Sequence, residues 1–166
     1  MSENYIVING KKAELTEEQL KQLEQLGIKL KNNPFERVEK GEVYSLVDYN
    51  GYATSCVDQR WPCDDDSFDC HNYFNDKMFA NQVALHQLLY RKLLKFVYDN
   101  GYEDVEWNGQ RDHWYIYYDF ADNKFDTDPD DAFKHQGVYF SSADGANRAI
   151  KEVIEPFIKE HPDFVW

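Results

Sequence analysis

Three cysteines and a histidine stand close together at Cys56, Cys63, Cys70 and His71. Thiolates and an imidazole are the ligands of tetrahedral zinc, so this set is the first place to look for a metal. Structural zinc sites space the cysteines of a knuckle by about two to four residues, whereas six residues separate each neighbouring pair here. The spacing argues against zinc. The simpler expectation is a small strand residue at Cys56 and incidental thiols beyond it. Asp126, Asp128 and Asp130 alternate like the opening of a calcium loop. An EF-hand needs Gly at the sixth loop position and Glu at the twelfth, where this chain has Asp131 and Gly137, and Pro129 intrudes. No metal and no cofactor is expected.

Nucleophilic or acid–base catalysis would centre on histidine. His71, His86, His113, His135 and His161 are scattered, and none stands in a motif with a Ser or Cys nucleophile. Asp112 and His113 are neighbours in the chain, which does not make them a dyad in space. The phosphate-binding, dinucleotide-binding and metalloprotease signatures are missing from the sequence. A non-enzymatic protein is expected.

What remains is negative charge interleaved with aromatics. Acidic residues outnumber basic ones by 31 to 18, a net charge of −13. Contacts to phosphate need Lys and Arg, so direct binding to nucleic acid or to an anionic membrane is not expected. The electrostatic partners of such a chain are basic surfaces, including the nucleic-acid grooves of other proteins. Two segments concentrate the charge. Residues 58–70 hold Asp58, Asp64, Asp65, Asp66 and Asp69 beside Trp61 and Phe68, opposed by Arg60. Residues 119–131 hold Asp119, Asp122, Asp126, Asp128, Asp130 and Asp131 beside Phe125, opposed by Lys124. Read as loops, they would present carboxylates that imitate a phosphate backbone and aromatics that anchor a partner. The bland alternative is two solvated loops with a few packed aromatics.

The elements that must position these residues follow from pattern. YIVIN and KAEL flank Gly10 as a hairpin. Thr16 opens a helix with Gln19 in capping-box position, and Leu20, Leu23 and Leu26 line one side before Gly27 stops it. Asn32-Asn33-Pro34 ends this arm. VYSLVDY and YATSCVD are strands separated by Asn50-Gly51, a strong hairpin signal. A polar loop over 59–70 leads to Tyr73-Phe74, then to Asn75 as N-cap of a long helix reaching about Asp99. Its Leu85, Leu88, Leu89, Leu93, Phe96 and Val97 form one apolar stripe. HWYIYYDF then alternates as a strand with Trp114, Ile116, Tyr118 and Phe120 on one face. Asp122-Asn123 turns the chain, an acidic loop and a short strand GVYF follow, and Ser141 or Ser142 caps the last helix. That helix puts Ala146, Ala149, Ile150, Val153, Ile154, Phe157 and Ile158 on one stripe.

Two stretches read as one unit written twice. Tyr73-Phe74 precedes Ala80-Asn81 at the spacing with which Tyr139-Phe140 precedes Ala146-Asn147. The expected fold class is therefore α+β: antiparallel β-hairpins with two main amphipathic helices from a duplicated β-β-(β)-α unit. The expected division is an N-terminal hairpin–helix arm over 1–33, a first repeat over 34–102 and a second over 103–166.

The layout VING-KKAELTEEQ, then NPFERVEKGEVYSLVDYNG, then NYF before an amphipathic helix resembles uncharacterised small acidic proteins of Firmicutes phages and prophages. WYIYYD and the VYFSS helix start are similar too. The resemblance implies a phage-borne accessory protein acting on host defence or host machinery, and it carries no catalytic residues over. With the charge pattern, it implies an inhibitor that mimics DNA towards a basic, nucleic-acid-handling host protein, an anti-CRISPR or anti-restriction role. The alternatives are a sponge for a nucleotide signal, with Arg111, Arg148 and Lys151 as the available cations, and a structural or assembly protein. A homodimer is compatible with each. MSENYIVING has no basic region followed by an apolar run, and no stretch approaches the ~20 apolar residues of a bilayer span. The expected location is the host bacterial cytoplasm, where three cysteines would stay reduced.

Overall fold

The computed structural model describes residues 5–8, 11–26, 33–101 and 106–166. It is α+β, with β1 (Tyr5–Ile8), β2 (Lys11–Glu14), α1 (Glu17–Gln25), β3 (Val43–Val47), β4 (Ala53–Val57), α2 (Pro62–Asp69), α3 (Lys77–Asp99), β5 (His113–Asp119), β6 (Lys124–Asp130), α4 (Ala143–Ala149) and α5 (Glu155–Glu160). The strands pair as three antiparallel hairpins, β1–β2, β3–β4 and β5–β6. Gly10 and Gly27, the expected turn and helix stop of the arm, lie outside the described residues.

Local chemistry accounts for these elements. At the start of α1, Thr16 Oγ1 accepts from the Gln19 N–H at 3.3 Å while Gln19 Oε1 accepts from the Thr16 N–H at 3.0 Å, a reciprocal capping box. In the β3–β4 turn, Asp48 Oδ1 accepts from the N–H groups of Asn50 and Tyr52, and Oδ2 accepts from the Thr54 hydroxyl. The turn is wider than the two-residue Asn50-Gly51 connection the sequence suggested, since pairing ends at Val47↔Ala53. Gly51 sits at φ +86°, so the backbone calls for glycine, while a Cβ there would need only the tip of the Arg91 side chain to move.

The two β–α units share one arrangement. Ser45 and Phe74 exchange backbone hydrogen bonds at 2.7 and 2.8 Å, and Trp114 and Phe140 do so at 3.0 and 2.8 Å. In each unit a single residue of a short extended segment thus adds a bridge beside the hairpin. GVYF contributes only that bridge rather than a strand. The helix then starts at an extended N-cap. Asp76 Oδ1 accepts from Met78 N–H and Phe79 N–H in the first unit, and Ser142 Oγ accepts from Gly145 N–H in the second. The cap is therefore Asp76, not Asn75. The Asn75 amide instead donates to the carbonyls of Asn33 and Glu36 at 3.0 Å each, tying the preceding segment to the helix start. Ala80 and Ala146, one turn in, are fully buried.

The larger core joins both units: Leu89, Leu93 and Val97 of α3 meet Phe140, Ala146, Ala149, Ile150, Ile154 and Phe157. A smaller cluster of Val47, Phe74, Ala80 and Ala84 lies under the first hairpin. The last helix is not continuous. Residues Ile150–Ile154 form a π-helical turn in which Glu155 N–H donates to Ile150 C=O. Pro156 explains it, because proline has no N–H and its ring clashes with the carbonyl four residues back. Widening the turn relieves that clash while keeping Ile150, Ile154 and Phe157 buried.

Two expected loops are regular elements. Residues 59–70 contain α2, started by Pro62 in its first turn and by Asp64, whose Oδ2 accepts the Trp61 N–H at 3.0 Å. Residues 124–130 are β6, paired along their whole length with β5.

Candidate protein-binding surface

The β5–β6 register sets Tyr117 opposite Asp126, Tyr115 opposite Asp128 and His113 opposite Asp130. Side chains alternate across a strand, so these residues share one face of the ribbon. The other face carries Trp114, Ile116 and Phe125, which pack on the main core. DTDPD is thus a ladder of three carboxylates, spaced by two residues or about 6.8 Å. That spacing is too wide for convergence on an ion. Among the described residues no group of three or more His, Cys, Asp or Glu is placed to hold a metal.

Several ladder carboxylates are held in place. Asp126 accepts from Thr127 N–H at 2.9 Å and pairs with Lys124 at 3.0 Å. These contacts, the lysine first, lower its pKa. Asp130 accepts from the N–H groups of Phe133 and Ala132 at 2.8 and 2.9 Å, with His135 at 3.6 Å, and is lowered mainly by those backbone bonds. Asp119 Oδ1 accepts from Ala121 and Asp122 N–H groups and shapes the β5–β6 turn. Asp122, Asp128 and Asp131 are exposed. Burial, then the neighbouring aspartates, push the hydroxyls of Tyr115 and Tyr117 upward, so they remain hydrogen-bond donors. Phe133, 70% exposed, follows the ladder by three residues, and Phe120, 80% exposed, follows β5.

The structure revises several expected contact residues. Phe125 is a core residue, set edge-on to Tyr118 and Trp166. Phe120 falls beyond the end of β5 and is mostly exposed, with its ring edge-on to Tyr118 of the inward face at 5.1 Å. Tyr115 and Tyr117 were legible as the outward half of the alternation in HWYIYYDF, but the expected site left them out. Phe133 carried no periodic signal.

The first acidic segment is built differently. Asp58 is fully buried. Its Oδ2 accepts from Arg37 Nε at 3.0 Å, Arg60 Nη1 at 2.9 Å and the Tyr73 hydroxyl at 2.8 Å, and its Oδ1 accepts from Arg60 N–H at 2.8 Å. Burial alone would raise this carboxyl, but the hydrogen bonds led by Arg37 outweigh it and hold it at about 2. Burial and the contact with Asp58 push Tyr73 up to about 12. Arg60 adopts φ +60°, and the two bonds it gives Asp58 hold it in that region, which L-residues rarely occupy. Asp64 is also buried. It accepts from Gln59 N–H, Trp61 N–H and the Tyr44 hydroxyl, and Tyr44 stacks on Tyr73 at 4.0 Å. Asp58 and Asp64 are therefore structural and face away from solvent.

Phe68 lies edge-on to Tyr73 with Arg37 5.2 Å above its ring. Asp65 is exposed and paired with Arg37 at 2.6 Å. Asp66, Asp69 and Trp61 remain on the surface. The two acidic segments are thus unlike: a helix over a buried network in one unit, a flat carboxylate ladder in the other. Cys56, Cys63 and Cys70 are free thiols. Among the described residues no helix is long and apolar enough to cross a membrane. Comparison with protein-family models, curated proteins and solved structures finds no match, so the surface is read from its own chemistry.

Proposed function

We propose that this chain is a non-enzymatic binding protein whose β5–β6 ribbon occupies a basic groove on a nucleic-acid-handling host protein. The observation that supports it is the ladder of Asp126, Asp128 and Asp130 beside Tyr115 and Tyr117 on one face of a two-stranded ribbon. The row offers carboxylates, most open at Asp128, beside hydroxyl donors, with the exposed ring of Phe133 just beyond it in the chain. A lysine- and arginine-lined groove built for phosphates complements that pattern. The phage-type resemblance makes a defence enzyme, a CRISPR effector or restriction enzyme, the favoured target, with inhibition by occupying the groove. Trp61, Asp65, Asp66 and Asp69 form a secondary acidic surface.

Affinity capture from a bacterial host lysate at low and moderate salt, read by mass spectrometry, tests this reading. The expected result is a basic nucleic-acid-binding protein retained at low salt and lost from bait carrying Asp126→Asn, Asp128→Asn and Asp130→Asn. Retention of the same protein by that bait would overturn the mimicry.

A second reading, capture of a small anionic ligand, is favoured by one feature. A groove of about 630 Å³ between α3, β5 and the C-terminus is lined by His86, Tyr90, Arg91, Ile116 and Trp166. Arg148, one of the three cations expected to serve a phosphate, does not line it and is instead paired with Glu152 at 2.9 Å. A nucleotide thermal-shift series separates the readings, since a ligand that binds only the folded state raises the melting temperature.

A further inference from the structure

The outer edges of the two hairpins differ. Ser45 directs both its N–H and its C=O to Phe74, and the Asn72 amide accepts from Val47 N–H and donates to Val47 C=O. Along β3 these residues therefore bond away from β4. In antiparallel pairing their partners bond away from β3 in turn, so Ser55 and Ala53 present N–H and C=O groups on the outer edge of β4. Val57, opposite Val43, continues the row. The second unit closes the matching edge. Trp114, which bridges to Phe140 as Ser45 does to Phe74, lies opposite Pro129, which has no N–H. The next outward N–H, that of Thr127, is taken by Asp126 Oδ1 at 2.9 Å. Proline and local capping are how natural sheets blunt an edge. β4, with the sequence ATSCV, has no proline and no charge, and Thr54, Ser55 and Val57 are exposed.

We propose that β4 pairs antiparallel with β4 of a second copy of this chain, about a two-fold axis at Ser55. In that register Ser55 faces Ser55 of the partner subunit and Ala53 faces Val57 of the partner subunit, so on the order of six backbone hydrogen bonds join the copies. Small neutral side chains meet along the seam. The same symmetry brings the turn end of one copy, with Tyr49 and Tyr52 at 98% and 64% exposure, to the other end of the partner strand, with Val57 at 46% and Trp61 at 62%. The two ends of the seam are thereby equivalent, as an isologous interface requires. Each copy carries a net charge of −13, so long-range repulsion opposes the pairing and salt strengthens it. Binding of the acidic ribbon to a basic groove responds to salt in the opposite direction.

Sedimentation velocity over a range of concentrations, at low and moderate salt, tests the pairing. The wild-type chain is expected to form a dimer that tightens with salt. Ser55→Pro copies the edge chemistry of Pro129 and removes no backbone hydrogen bond to β3, only the 3.5 Å contact between the Ser45 and Ser55 hydroxyls; it is expected to weaken the dimer about tenfold or more while leaving the circular dichroism spectrum unchanged. Ser55→Cys, in a background of Cys63→Ser and Cys70→Ser, provides a test that does not depend on the proline variant folding. Facing residues in a hydrogen-bonded antiparallel pair lie about 5.5 Å apart, within disulfide range. That variant is expected to form a disulfide-linked dimer that its parent background does not. A monomer at every concentration, or a dimer that gains no cross-link from Ser55→Cys, would overturn the proposal.

Discussion

Tyr73 donates its hydroxyl to Asp58 Oδ2 over 2.8 Å, linking the bridging segment of the first unit to a carboxylate that also holds Arg37 and Arg60. One buried anion thereby fixes three pieces of chain: the segment before β3, the residues leading into α2, and the start of α3. Asp58→Ala should destabilise the protein by about 3 kcal/mol, because Arg37, Arg60 and Tyr73 lose the buried acceptor they share, although Arg37 keeps Asp65 and Arg60 keeps the Val38 carbonyl. Tyr73→Phe should cost about 1 to 2 kcal/mol, since one acceptor site on a well-bonded carboxylate is left open. Urea unfolding of both variants checks the order.

The same carboxylate sets an acid limit. Its folded value near 2 lies below its unfolded value of 3.8, so its contribution to stability is present above about pH 4 and is lost as pH falls towards 2. Stability measured from pH 5 down to pH 2 should fall for the wild-type chain and fall less steeply for Asp58→Asn.

Ala80 and Ala146 are fully buried at matching positions beneath Phe74 and Phe140. A larger side chain at either would push the helix off the bridging residue. Ala80→Leu and Ala146→Leu should each destabilise by about 1 to 3 kcal/mol. The larger effect is expected at Ala146, which lies in the cluster shared by both units. Thermal unfolding of the two variants measures it.

How legible these features were depended on whether their causes were local. The Thr16–Gln19 capping box, the Asn50-Gly51 turn region and the apolar stripe of α3 are short-range chemistry, and the structure has them. α2 was hidden because three consecutive aspartates read as a solvated loop, although Pro62 followed by Asp64 is itself a helix-start signal. β6 was hidden because Asp and Pro have low strand propensity; pairing with the aromatic β5 overrides it, and Pro129 is tolerated because its missing N–H faces the edge. Arg60 stands two residues from Asp58, but the burial of Asp58 was not legible, since its other two side-chain partners, Arg37 and Tyr73, stand 21 and 15 residues away.

Under the proposed function, the ladder and α2 should make separable contributions to partner binding. Asn at 126, 128 and 130 keeps acceptors for the Thr127, Ala132 and Phe133 N–H groups, so folding stability should change by less than about 1 kcal/mol. Partner affinity should drop about tenfold or more, with a shallower salt dependence. Asn at 65, 66 and 69 should lower it by less. Biolayer interferometry against the captured partner at several salt concentrations gives both numbers.

The most direct measurement of groove occupation is competition. Labelled duplex bound to the captured host protein is titrated with this chain and followed by fluorescence anisotropy. Displacement of the duplex by the wild-type chain, with the ladder variant about tenfold weaker or worse, is the predicted result. A ternary complex in which duplex and chain bind the host protein together would contradict it.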